Sequence, residues 1–333
     1  MRKLILFALS LLLFVGCSSK RYFEPKEIAG YVDFDGKLPA PIVDVLRDGA
    51  TLEDGEFISK DGLENYRLPK GYLFINKSNG YYIAANKCGD LLIIDSKSHK
   101  KVLQKHFTMR SPIAANITKD KRVALVFDDN SLMLYDIVGK HVIYATEQGK
   151  SIAVDTKIAN PFFLGQLTVF PTLDGKLVVV DPTGKELRTL IVGTKKHFNN
   201  VIFLDVIDEK LIAATPNKII SVSPTFSNTL DLSLSDVLYA KGRVYLLTKD
   251  GEIILTDPQL NIMKRRKYPF AHFTGAVYGE YIYVVEKEGY IIAVDKDLRV
   301  SNIFGFPSGI EEYIFTSKDK IFYDNNYFEL KKL

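Results

Sequence analysis

The chain has 333 residues, of which 47% are hydrophobic and 25% are charged, and this balance excludes a disordered chain and a membrane protein with many spans. Lys and Arg number 44 against 40 acidic residues. Two of the basic residues, Arg2 and Lys3, lie in a leader, so the mature chain has a net charge of only +2. That charge is too small to predict nucleic-acid binding.

The first 17 residues predict a signal peptide rather than part of the fold. Two basic residues precede residues 4–15, which are apolar apart from Ser10, as in secretory leaders. The apolar run is too short to span a bilayer as a permanent helix. We therefore expect three regions: a leader at 1–17, a tether and N-terminal segment at 18–50, and a folded body at 51–333.

The end of the leader resembles the bacterial lipobox, in which a small residue precedes an acylated Cys. Gly16 and Cys17 fit that pattern, whereas Phe14 stands where Leu is usual. The resemblance implies a lipoprotein anchored through Cys17, and Ser18 implies delivery to the outer membrane, facing the periplasm. The alternative is an ordinary secreted protein in which Cys17 has no special role.

The body repeats one unit, which is an apolar strand, a turn with Gly, Asp or Asn, a second apolar strand and, in five of the six cases, a closing Asp. Weaker apolar runs precede or follow each unit, with Val, Ile, Tyr and Phe in runs of four to six, and no segment has the apolar spacing of a helix. Such hairpins are unstable alone and bury their faces only when stacked. The six units occupy residues 81–95, 123–136, 167–181, 211–223, 244–257 and 281–295.

The interval between units is about forty residues, which is typical of one four-stranded propeller blade. Three further strands follow near the C-terminus, and residues 52–59 can supply a fourth strand that closes the ring. We therefore predict an all-β fold, a seven-bladed β-propeller of four-stranded antiparallel blades closed by N- and C-terminal strands. Eight blades are the alternative, if residues 29–46 belong to another blade.

Three of the units resemble the PQQ-like propeller repeat, namely DGKLVVVDPTGK at 174–185, DGEIILTD at 250–257 and EGYIIAVD at 288–295. Together with the lipobox, they are most similar to the BamB-type outer-membrane assembly lipoproteins. The resemblance implies a periplasmic propeller whose partner is the β-barrel assembly machinery. It is more specific for the fold than for the function, because enzymes and scaffolds share this repeat.

The sequence departs from the enzymes of that superfamily because it contains no Trp. Quinoprotein enzymes resemble one another in a Trp at each blade and another beneath the cofactor, so no quinone or other cofactor is expected here. The repeated acids are interpreted as caps of the following turn. They are Asp95, Asp136, Asp181, Asp257 and Asp295.

Few residues suggest chemistry. The five histidines have no metal-ligand spacing, and Cys88 is alone once Cys17 is assigned to the leader. The basic run from Lys264 through Arg265 and Arg266 to Lys267 is either a solvated strand or a surface for an anionic partner or lipid headgroups. Aromatic residues in predicted loops are candidate anchors for a protein partner. These are Phe162, Phe163, Phe304 and Phe306.

The sequence therefore predicts a non-enzymatic scaffold that binds protein partners of the cell envelope, with no catalytic residue, metal site or nucleic-acid partner. Outer-membrane protein assembly is the process that the resemblance implies. One alternative is a periplasmic lyase or hydrolase with a site in the central channel of the propeller. Another is an accessory scaffold of a secretion or flagellar machine.

Overall fold

A computed structural model of the chain describes residues 22–149, 151, 153, 157–193, 199–306 and 309–332. Within these ranges the strands form eight sheets around one centre, and each sheet is a blade of a β-propeller. No helix in the described ranges has the length and apolar character needed to cross a membrane. The leader at 1–17 and Cys17 lie outside the described residues.

Two short strands come first, Gly30–Tyr31 (β1) and Gly36–Lys37 (β2). Blades 1 and 2 contain Ile42–Leu46 (β3), Gly49–Leu52 (β4), Phe57–Ser59 (β5) and Gly62–Glu64 (β6), then Tyr72–Ser78 (β7), Tyr81–Asn86 (β8), Asp90–Asp95 (β9) and Lys101–His106 (β10). Blades 3 and 4 contain Pro112–Ile117 (β11), Arg122–Phe127 (β12), Ser131–Asp136 (β13) and His141–Glu147 (β14), then Phe162–Leu164 (β15), Leu167–Pro171 (β16), Lys176–Val180 (β17) and Glu186–Ile191 (β18).

Blades 5 and 6 contain Phe203–Ile207 (β19), Lys210–Thr215 (β20), Lys218–Ser223 (β21) and Phe226–Asp231 (β22), then Leu234–Ala240 (β23), Arg243–Thr248 (β24), Glu252–Thr256 (β25) and Ile262–Lys267 (β26). Blade 7 contains Phe273–Tyr278 (β27), Ile282–Glu286 (β28), Tyr290–Val294 (β29) and Ser301–Gly305 (β30). Blade 8 contains Ile314–Thr316 (β31), Lys320–Tyr323 (β32) and Asn326–Glu329 (β33), and a 3-10 turn follows at Leu330–Lys332.

Each blade grades from buried middle strands to an exposed rim. The first strands contact one another around the centre, the middle strands β12 and β13 bury nearly every side chain, and the outermost strands β18 and β26 expose all but one. Neighbouring blades cover both faces of the middle strands, which explains their unbroken apolar runs. Each large apolar side chain buried there stabilises the fold by roughly 1.5–3 kcal/mol.

Glycine ends the turn between the second and third strands for a steric reason. Gly89 has a φ of +92°, and a Cβ at that position would overlap the carbonyl oxygen of Phe107 at the end of β10. The Gly89 carbonyl in turn accepts a hydrogen bond from Phe107 N at 2.9 Å. Gly251 and Tyr268 repeat this arrangement in blade 6. Because the turn touches the rim strand, only glycine fits there.

The acids that close the repeats cap the following turn, as predicted. Asp95 accepts a hydrogen bond from Ser98 N at 2.8 Å. The other four make the same kind of bond to a backbone N–H at 2.7–2.9 Å, and they are Asp136, Asp181, Asp257 and Asp295. Each carboxylate thus accepts hydrogen bonds from backbone N–H groups of the turn, which have no partner in a neighbouring strand.

The ring closes in blade 8, where β2 adds the outermost strand to β33. Gly36 pairs with Tyr327 and Lys37 with Asn326 in antiparallel register. The prediction of seven blades is therefore wrong, and the alternative of eight is confirmed. Closure does join N-terminal and C-terminal strands, but the N-terminal partner is β2 and not residues 52–59.

Residues 52–59 instead run through blade 1, which is complete within residues 42–64. Its strands have only three to five residues, so the forty-residue interval did not reveal it. Strand β4 crosses residue 51, where the sequence placed the start of the body. Upstream, β1 pairs in parallel with β30 and extends blade 7 to five strands.

Candidate functional site

The first strands surround a central channel that contains a cavity of about 720 Å³. Its walls come from β3, β19, β23, β27 and β31 and from the turns beside them. The charged residues of the wall are Arg47, Asp48, Lys60, Lys157, Asp205, Asp236, Lys287, Glu312 and Lys318, and the aromatic ones are Phe203, Tyr239, Tyr278, Tyr313 and Phe315. A cavity with both signs of charge and several rings is suited to a polar ligand or a protein segment.

Asp236 lies at the centre of these charges. One oxygen of its half-buried carboxylate is 3.3 Å from Arg47 Nη1, and the other is 2.9 Å from Lys157 Nζ. Burial alone would raise the pKa of Asp236, but Lys157 and Arg47 outweigh burial and hold this pKa at about 2. The carboxylate is therefore ionised and paired at neutral pH, which does not suit it for proton transfer near pH 7.

The segment that precedes β15 enters the channel and links several blades. Besides Asp236 in blade 6, Lys157 Nζ donates a hydrogen bond to Thr274 O of blade 7 at 2.6 Å. Asn160 donates to Asp48 Oδ2 of blade 1 at 2.7 Å and accepts from a backbone N–H of blade 3 at 2.8 Å. The segment therefore ties together blades on opposite sides of the channel.

Two other channel groups have pKa values shifted toward the neutral form. The Lys60 side chain is exposed to the channel, and desolvation by the surrounding protein lowers the pKa of its ammonium, with Asp48 opposing. Burial likewise raises the pKa of Asp205, with the Val206 N–H opposing. Asp205 is half-buried and loses hydration when charged, so a bound cation would stabilise its carboxylate.

Within the described ranges, no group of three or more His, Cys, Asp or Glu side chains is placed to hold a metal ion. Cys88 is an exposed free thiol in the turn between β8 and β9.

Comparisons with known proteins agree with this fold, although no protein-family model matches the chain. The chain is 29% identical, over a gapped alignment of 384 positions, to the plasminogen-binding protein PgbB of Helicobacter pylori strain ATCC 700392 / 26695, covering 98% of this chain and 70% of the relative. The crystal structure of BamB from Moraxella catarrhalis has a TM-score of 0.67 at 14% identity and covers 89% of this chain and 99% of that one. The chain folds as a BamB-like β-propeller.

The likeness to solved structures concerns architecture alone. The C-terminal WD40 domain of Sif2 also has a TM-score of 0.67 at 14% identity, with 91% of this chain and 99% of that chain covered. Since such different propellers fit equally well, the comparison supports the β-propeller fold that they share, and the binding surface must be argued from this chain's own residues.

Three of the four predicted aromatic anchors lie in strands of the BamB-like propeller and not in loops, and the fourth, Phe306, directly follows β30. Phe162 and Phe163 form the inner strand β15 of blade 4 and are half-buried against separate apolar clusters. Phe304 lies in β30, and Phe306 is buried against the ring of Tyr323 at 5.1 Å. The structure thus places the four residues in two blades that are not neighbours, where each packs against an apolar cluster, and their contact with a partner stays a prediction.

The basic run lies on β26, the rim strand of blade 6, and most of it is exposed. Arg265 pairs with Glu252 at 2.9 Å, and Lys267 pairs with Asp250. Arg266 turns the other way and donates to Ser301 Oγ of blade 7 at 2.7 Å. The run therefore borders the groove between blades 6 and 7.

Sequence reasoning did not select the channel residues, although a signal was present. Asp followed by Val and then Leu or Ile occurs at 44–46, 205–207 and 236–238. The structure places these three motifs on β3, β19 and β23, all of which line the channel. A carboxylate in the middle of an apolar inner strand must face a cavity or a partner, because its burial alone is costly.

Proposed function

We propose that the protein is a lipid-anchored scaffold of the outer membrane that faces the periplasm and binds envelope proteins without catalysing a reaction. The observation that carries this proposal is the pairing of Asp236 with Arg47 and Lys157, which makes the channel a rigid hub. An acid with a pKa of about 2 that is held by two cations is suited to locking blades together. The likeness over 98% of the chain to a protein named for binding plasminogen supports the same class of function.

The face at the channel mouth is the surface we propose for the partner. Tyr313 is exposed there beside Glu312 and Lys318, and Lys318 is paired with Asp61 of the neighbouring blade at 2.6 Å. An exposed Tyr among charged side chains resembles the anchor and polar rim of many protein interfaces. The β-barrel assembly machinery is the first partner to test, since the fold is BamB-like.

The partner is tested by co-purification from solubilised envelopes. We expect the tagged mature protein to recover an envelope protein in stoichiometric amount, and a variant with Tyr313→Ala and Lys318→Ala to lose at least ~10-fold of it, because a central Tyr typically carries 2 kcal/mol or more. Lys101→Ala with Val142→Ala on the rims of blades 2 and 3 is the matched control. Equal recovery by both variants would contradict the proposed surface, and recovery of no protein would contradict the scaffold.

Anchoring is tested by Cys17→Ser, which removes the thiol that would be acylated. We expect the variant, and not the unchanged protein, to leave the outer-membrane fraction in a high-salt wash, because one sulfur carries the whole covalent anchor and salt screens electrostatic attachment. Cys88→Ser is the matched control and should fractionate like the unchanged protein. If Cys17→Ser resists the same wash as the unchanged protein does, the lipid anchor is wrong.

A further inference from the structure

The N-terminal segment, residues 22–31, lies in the groove between the rims of blades 6 and 7. The Phe23 ring is buried and packs edge-on against Tyr268 at 6.2 Å and Tyr290 at 5.5 Å. The segment then continues into β1, which pairs with β30. The chain therefore reaches the folded body at its rim and not at either face of the disc.

Exposed apolar side chains concentrate around this point. The described residues include sixteen large apolar side chains that are exposed, and seven of them belong to the N-terminal segment, to β26 and the turn after it, or to the start of blade 7's outer strand. The seven are Tyr22, Ile28, Tyr31, Ile262, Met263, Phe270 and Val300. Tyr22 and Phe270 line one cleft, and Arg266 joins β26 to Arg299 O and Ser301, so these elements form one surface, which we call the anchor-side rim.

Basic side chains border the same apolar surface. They are Lys26, Lys264, Arg265, Arg266, Lys267 and Arg299. Asp250 and Glu252 neutralise two of them, Asp295 lies beside Arg299, and Glu24 and Glu27 lie on the N-terminal segment, so the anchor-side rim keeps an excess of one positive charge. Rings and aliphatic groups among Lys and Arg are the composition of surfaces that lie in a bilayer interface.

The short distance along the chain from Cys17 to the anchor-side rim indicates which partner covers this surface. Five peptide units join Cys17 to Tyr22, and fully extended they reach no more than ~18 Å. An acyl group on Cys17 would thus hold the anchor-side rim within that distance of the bilayer, close enough for its side chains to enter the headgroup region. This step rests on the proposed lipid anchor.

We infer that the anchor-side rim is a bilayer-docking surface for membranes that contain anionic phospholipids. Tyr22, Phe270 and the aliphatic residues enter the interface, while Lys26, Lys264 and Arg299 approach the headgroup phosphates. The disc then stands on its edge, and the channel mouth faces sideways along the membrane. Docking on the rim leaves the proposed partner surface around Tyr313 uncovered.

The absence of Trp from the chain provides a clean optical test. The unacylated chain from Ser18 contains every described residue, and Tyr22→Trp and Tyr313→Trp place one reporter each at sites that are 54% and 49% exposed. With vesicles of phosphatidylethanolamine and phosphatidylglycerol, we expect the Tyr22→Trp emission to shift to the blue and the Tyr313→Trp emission to stay unchanged. Equal shifts, or no shift at Tyr22→Trp, would overturn the inference.

Charge reversal tests the electrostatic part in a sedimentation assay with the same vesicles. Each basic residue near an anionic surface contributes roughly fivefold, so Lys26→Glu, Lys264→Glu and Arg299→Glu together should weaken binding at least ~100-fold. Lys97→Glu, Lys100→Glu and Lys101→Glu make the same charge change on blade 2, across the ring, and should have a much smaller effect. Equal loss in both triple variants would mean that total charge and not the rim determines binding.

The outcomes separate this inference from the proposed function. If the unacylated chain does not bind anionic vesicles, the docking surface is wrong, whereas co-purification and the Cys17→Ser fractionation still test the scaffold and its anchor. If Tyr22→Trp shifts with protein concentration in the absence of vesicles, the rim binds a second copy of the chain, and bilayer docking is overturned.

Discussion

A chain that ends at Asn325 is expected to lose the whole ring and not only its last strand. The truncation removes β33, which lies between β32 and the N-terminal strand β2, and with it the buried side chains of Phe328 and Leu330. Loss of each large buried side chain costs about 2–5 kcal/mol, and β2 is left without a partner. The sum is comparable to a typical total stability of about 5–15 kcal/mol.

Circular dichroism during heating and in urea measures this effect. We expect no cooperative transition in the truncated chain at temperatures where the full chain is folded. Leu187→Ala with Ile191→Ala is the matched control, because it removes two apolar side chains that are exposed on the rim of blade 4, and it should change stability by less than about 1 kcal/mol. A truncated chain that melts like the full one would contradict closure through β2 and β33.

Asp236→Asn is expected to be the most destabilising single substitution in the channel. It leaves Arg47 and Lys157 in the channel without their shared carboxylate, and a pKa lowered from 3.8 to about 2 corresponds to a contribution of about 2–3 kcal/mol. Asp44→Asn is the matched control, because Asp44 occupies the same motif on β3. Burial raises the pKa of Asp44, and one of its oxygens has no hydrogen-bond partner, so this change should be neutral or stabilising.

Equilibrium unfolding in urea at several pH values tests both substitutions. The pKa of Asp236 is lowered from 3.8 to about 2, so its contribution is complete above pH 4 and is lost as the pH falls from about 4 to about 2. The unchanged protein should therefore lose more stability in that range than Asp236→Asn does. Equal costs for Asp236→Asn and Asp44→Asn at pH 7 would contradict the role of the ion pairs.

The hairpins could be predicted because neighbouring blades cover both faces of their strands, which must then be apolar. The second and third strands of blades 2 to 7 must be apolar throughout, and the unit at 281–295 becomes β28 and β29 with nearly the expected limits. The glycine and the closing acid of each turn also have local causes, a contact with the rim strand and a cap. Features with such local causes can be predicted from the residues of a single hairpin.

Blade 1 and the closing strand could not be predicted in the same way. The β4 strand GATL is fully buried yet contains a single large apolar residue, so it does not resemble the other middle strands. Strand β2 has only two residues, Gly36 and Lys37, and its pairing with β33 depends on the completed ring. Such strands are determined by distant neighbours and leave little pattern in their own sequence.

The residues of the central channel can be predicted from the sequence only in part. The three Asp-Val motifs mark inner strands, but nothing in the sequence predicts that Lys157, from the connection between blades 3 and 4, reaches Asp236 in blade 6. The sequence analysis places Phe162 and Phe163 in a loop, whereas they form β15, the short inner strand of blade 4. Which side chains meet in the centre of a ring is decided by closure of the whole chain.

The pairing of β2 with β33 has a kinetic consequence. Lys37 and Asn326 are about 290 positions apart in sequence, so one of the first strands to be synthesised waits for one of the last. Contacts of such long range form slowly, and until then both end strands present unpaired edges that promote aggregation. We therefore expect newly made chains to depend on a chaperone that shields these edges until the final strand is available.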